Sequence, residues 1–365
     1  MSDAWPMMRG LLAAALLCLS AAADACPICL GAGQATRAEQ LADAQQAVLA
    51  VPTADARRFR VIEVIRGERP SSTIEGAYPR AGASVDAGIP KGEALLLVRD
   101  DPFPTWVILG PIGKEHSGWL RKLAAGQRAE LSAEEWRARV DLVVPYLENR
   151  QPLVAEIAYG VLAAAPYSAM RTAKPRLDAR AIRAWLADSQ LAGRHRAYLL
   201  LLGIAGNALD AAALEQHLEV AGKTGNPTNL ASMLAADLEL RGAARMTWVE
   251  EKYLRDRARS TPEIEAALLA LSAQGNANGV IPRARVIQSY RMFMKEHPEI
   301  AGYVAPDFAA WQYWDAVPEY AALMKSGVRQ QLPSRLAILA YLRQSPSGEA
   351  RDLALQTQAV PAARH

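Results

Sequence analysis

Cys26 and Cys29, in Cys26-Pro27-Ile28-Cys29, are the residues whose type and spacing are best suited to chemistry. A cysteine pair this close can oxidise to a small local loop, exchange thiols, or offer two thiolates to a metal. A structural zinc needs four ligands. The only other cysteine is Cys18, and the five histidines, His116, His195, His217, His297 and His365, show no metal-ligand spacing. A closed zinc site is therefore not expected, nor is any cofactor. Oxidation, metal binding through the pair, and acylation of Cys26 stay open as its state.

The position of the pair carries more information than its spacing. Arg9 precedes an apolar run, Leu11 to Leu19, too short to anchor in a bilayer, and Ala23 and Ala25 follow in the small-x-small pattern of a secretory cleavage site. Residues 1–25 thus read as a signal peptide, Cys18 leaves with it, and Cys26 becomes the first mature residue. The lipoprotein signal asks for Leu and a small uncharged residue where Ala23 and Asp24 stand. Export to a periplasmic or extracellular space is expected, with a lipid anchor at Cys26 as the alternative. No later stretch reaches about 18 consecutive apolar residues, so no transmembrane helix is expected after cleavage.

About 340 residues remain, more than one hydrophobic core accommodates. A formal charge of +3 gives no reason to expect nucleic acid as a partner. Thr36-Arg37-Ala38-Glu39 is a capping box that predicts a helix over 37–44. Five short apolar runs follow between turn formers: 47–51, 59–65, 74–78, 94–98 and 106–109. Five strands in so short a span suit a small barrel-like domain over 26–122. A second capping box, Ser132 to Glu135, opens a helical region over 128–365. Its breaks near Pro166, Gly206, Gly242, Gly275, Asp315 and Ser347 recur at the period of helical hairpins. The fold class expected is α+β.

Several family resemblances attach to these residues. Residues 130–355, with Leu201 to Ala208 echoed by Leu269 to Ala277, resemble HEAT-like repeats. The opening cysteine pair, short helix and five strands weakly resemble the netrin-like OB-type fold of the tissue inhibitors of metalloproteinases, in which the amino-terminal cysteine chelates a protease's zinc. That likeness would give the role to Cys26. The family's Cys-x-Cys spacing and its later partner cysteines are missing here. Cys26 to Gly33 also resembles half a DnaJ-type zinc knuckle, without the second cysteine pair. It resembles a thioredoxin-like Cys-Pro-x-Cys too, without the preceding strand that motif requires.

One other constellation stands out in a chain poor in aromatics: Tyr303, Phe308, Trp311, Tyr313 and Trp314. They can form a binding platform or the core of a repeat. No Gly-x-Ser-x-Gly, His-Glu-x-x-His, P-loop or Rossmann fingerprint is present. The expectation is a non-catalytic exported protein whose helical surface binds a protein or another envelope component. A thiol or metal protein acting through Cys26 and Cys29, along the lines of a metalloprotease inhibitor, is the alternative.

Overall fold

The computed structural model describes residues 28–29, 35–55, 57–79, 92–100, 105–125 and 131–359. The expected signal segment and Cys26 lie outside the described residues. The chain forms two compact units, 1–177 and 178–365.

In the first unit the capping box at Thr36 closes as the sequence predicts. Glu39 N donates to Thr36 Oγ1 at 3.1 Å and Thr36 N to Glu39 Oε2 at 2.7 Å. This satisfies two otherwise orphaned donors at the start of α1 (Arg37–Asp43). The strands are β1 (Gln46–Pro52), β2 (Arg58–Arg66), β3 (Thr73–Glu75), β4 (Tyr78–Pro79), β5 (Glu93–Arg99) and β6 (Val107–Gly113). Among the described residues the strand count is therefore six and not five. The run read as one strand over 74–78 is broken at Gly76, whose φ of +70° is open to glycine but costly for other residues.

That break shapes the sheet. Its order is β3-β2-β1-β5-β6-β4, antiparallel except for the parallel β6–β4 edge. The two edge strands, β3 and β4, are joined by Gly76 and Ala77 alone. Consecutive Cα atoms lie about 3.8 Å apart, so opposite edges of a six-stranded sheet can be linked this closely only if the sheet curls. The result is a barrel-like half-closed sheet. Its concave face gathers Val48, Ala50, Phe59, Val61, Ile74, Leu95, Leu97, Trp106 and Ile108.

Residues of the opposite parity, Ala47, Leu49 and Leu96, are equally buried. They explain why β1 and β5 read as continuous apolar runs: both faces of the sheet are covered. The helices α2 (Ser117–Ala124), α3 (Ala133–Val143), α4 (Pro152–Ala164) and α5 (Tyr167–Thr172) complete the unit, with α2 packed on β2, and α4 on α1 and β6. The second capping box forms at Ser132, where Glu135 N donates to Ser132 Oγ at 3.2 Å.

The second unit is helical. It comprises α6 (Ala179–Ala187), α7 (His195–Ala205), α8 (Ala208–Thr224), α9 (Leu230–Arg241), α10 (Met246–Val249, continued by a π-turn over Glu250–Leu254), α11 (Thr261–Ala277) and α12 (Arg283–Glu296). A 3-10 turn (Ala301–Val304) leads to α13 (Ala305–Ala310), α14 (Val317–Lys325), α15 (Leu332–Gln344) and α16 (Gly348–Ala359). Alternate helices pack side by side: α7 on α9, α9 on α11, α11 on the 3-10 turn before α13, and α13 on α15. Such a row of every second helix is the arrangement of stacked helical hairpins, which cannot bury their apolar faces singly. The architecture is thus consistent with helical repeats following a barrel-like amino-terminal sheet.

Candidate functional site

The residues picked out in the sequence fall in different places. Cys29 sits in a turn and is 3% exposed. Its proposed partner Cys26 is not among the described residues, and Cys29 is the one described cysteine. Among the described residues no group of three His, Cys, Asp or Glu side chains could hold a metal.

The aromatic residues are brought together in the second unit, with one exception. Phe308 is fully buried and ringed by Tyr290, Tyr313, Tyr320 and Tyr341 at centroid distances of 5.7, 5.1, 6.4 and 6.4 Å. Trp314 packs on Tyr341 at 5.1 Å. Trp311 stacks on Tyr290 at 5.7 Å with the rings 8° from parallel. Tyr303 stands apart, its hydroxyl donating to Gln331 Oε1 at 2.8 Å.

The chain turns sharply through this cluster. After α13, Tyr313 N donates to Phe308 O at 2.8 Å and Gln312 N to Ala309 O at 3.0 Å, with Gln312 at φ +54°. This is a Schellman cap with glutamine in the left-handed position that glycine usually takes, and the Phe308–Tyr313 contact is its accompanying apolar clasp.

Around the cluster runs a hydrogen-bond chain that the sequence does not reveal. Trp311 Nε1 donates to Asn276 Oδ1 at 2.7 Å, and Asn276 Nδ2 donates to Ser272 Oγ at 3.3 Å. Ser272 Oγ donates to Asp307 Oδ1 at 2.8 Å, and Tyr290 Oη donates to Asp307 Oδ2 at 2.6 Å. The Tyr290 hydroxyl also lies 3.3 Å from Leu268 O, so it can serve either acceptor. Burial pushes the Asp307 carboxyl above the ordinary aspartate range, partly offset by the two hydroxyl donors and the Arg283 charge. Burial, with the Asp307 charge beside it, pushes the Tyr290 phenol well up.

The hydroxyl of Ser272 is buried with the carboxylate it donates to. What the arrangement does is fix α11, α12 and α13 against one another. No local sequence signal marks it, because Ser272, Tyr290 and Asp307 come from three helices.

A second polar cluster ties α8 to α9 and α10. Asp237 is buried and receives Arg241 Nε at 2.8 Å and Arg245 Nε at 2.6 Å. Both arginines also reach Glu215, at 2.9 and 3.0 Å. The Arg245 guanidinium lies 3.8 Å from the centroid of Trp248. In the π-turn, Glu250 Oε1 accepts from Arg285 at 2.5 Å and from Ser289 at 2.6 Å. Burial works to raise the Glu250 carboxyl, and these donors outweigh it and hold it below its ordinary value.

Outside these clusters, α8 turns a largely apolar stripe, interrupted by Gln216, to solvent. Leu209, Ala213, Gln216 and Val220, spaced as one helix face, are all exposed, Leu209 at 81%. Comparison with known proteins finds no family model, no curated protein and no solved structure that matches the chain.

Proposed function

We propose that this is an exported, non-catalytic binding protein whose helical unit presents a surface to a protein or another component of the cell envelope. The observation that carries the reading is the row of alternate helices α7, α9, α11, α13 and α15. Hairpins stacked in this way leave their second helices free to form an extended surface. The exposed stripe of α8 is the part of that surface with the least reason to face water.

The finer likeness to HEAT-like repeats rests on the period of the breaks. That to the netrin-like fold rests on the order of elements in the first unit. The alternative, chemistry at Cys26 and Cys29, is weakened by the burial of Cys29, because thiol exchange needs an accessible sulfur.

A photo-crosslinking amino acid placed in turn at Leu209, Gln216 and Val220, and for contrast at the exposed Arg58 and Glu75 of the sheet, tests the reading in the exporting host. The expected result is one adduct of the same mass from the α8 positions and none from the sheet. Adducts from the sheet alone, abolished by Cys26→Ser and Cys29→Ser, would replace this reading with the thiol or metal one.

A further inference from the structure

We draw no further inference here: the strongest candidate, the exposed and largely apolar stripe of α8 from Leu209 to Val220, belongs to the binding surface already described, and nothing in the structure shows what covers it.

Discussion

Asp307 is the residue whose environment is furthest from what its neighbours in sequence announce. It lies in Ala305-Pro306-Asp307-Phe308, where an aspartate in a first helical turn reads as an ordinary dipole partner. Packing against α11 and α12 instead desolvates it, and burial raises its carboxyl pKa. An acid whose folded value is raised destabilises the native state as it ionises. The loss begins near the ordinary aspartate value of about 4 and grows as pH rises through the raised value. Asp307→Asn removes that titration. The stability of wild type relative to Asp307→Asn, from urea unfolding at a series of pH values, should therefore fall as pH rises above about 4. A difference that stays flat or rises would show that the hydroxyls of Ser272 and Tyr290 dominate over burial. The aromatic residues, by contrast, were legible as a group from composition alone. What composition did not tell was that Phe308 would be enclosed and Tyr303 held apart, because those outcomes depend on Tyr290, Tyr320 and Tyr341 arriving from other helices.

At the scale of elements, both capping boxes were readable because the motif is local and its hydrogen bonds span only three residues. The sheet was readable except at Gly76 and at the end of β6, which runs on past Leu109 through Gly110 and Pro111 to Gly113. An apolar run over 74–78 looks like one strand, and only the long-range pairing of Tyr78 with Val107 shows it to be two strands on opposite edges. In the helical unit the decisive contacts are close approaches of backbone. A Cβ built on Gly203 of α7 would lie 2.6 Å from the Cα of Ala236 on α9, nearer than such atoms come. Relief requires the two helices to separate. Gly203→Val should cost about 1–3 kcal/mol in chemical denaturation. Its effect should also spread along the row, weakening amide-exchange protection in α9 as well as α7. Unchanged stability would mean that the row is not close-packed at that contact.

At the scale of the whole molecule, the period of breaks, about 32 to 40 residues apart, pointed to stacked hairpins, and the alternate packing from α7 to α15 is what such a period produces. The extent of the first unit was less legible. Residues 133–177 share the helical period of the second unit, yet they belong to the unit that holds the sheet, with α4 packed on α1 and β6. Periodicity reports which face of a helix is apolar and not what that face meets. The central claim is that binding belongs to the second unit. It is tested most directly by competition, with residues 178–365 expressed alone, checked for a cooperative helical transition, and titrated against the full chain on the partner identified by crosslinking. The account predicts that the fragment displaces the full chain at comparable concentration, and that Cys26→Ser in the full chain leaves its affinity unchanged. A folded fragment that fails to compete, with binding lost on substituting Cys26, would contradict it.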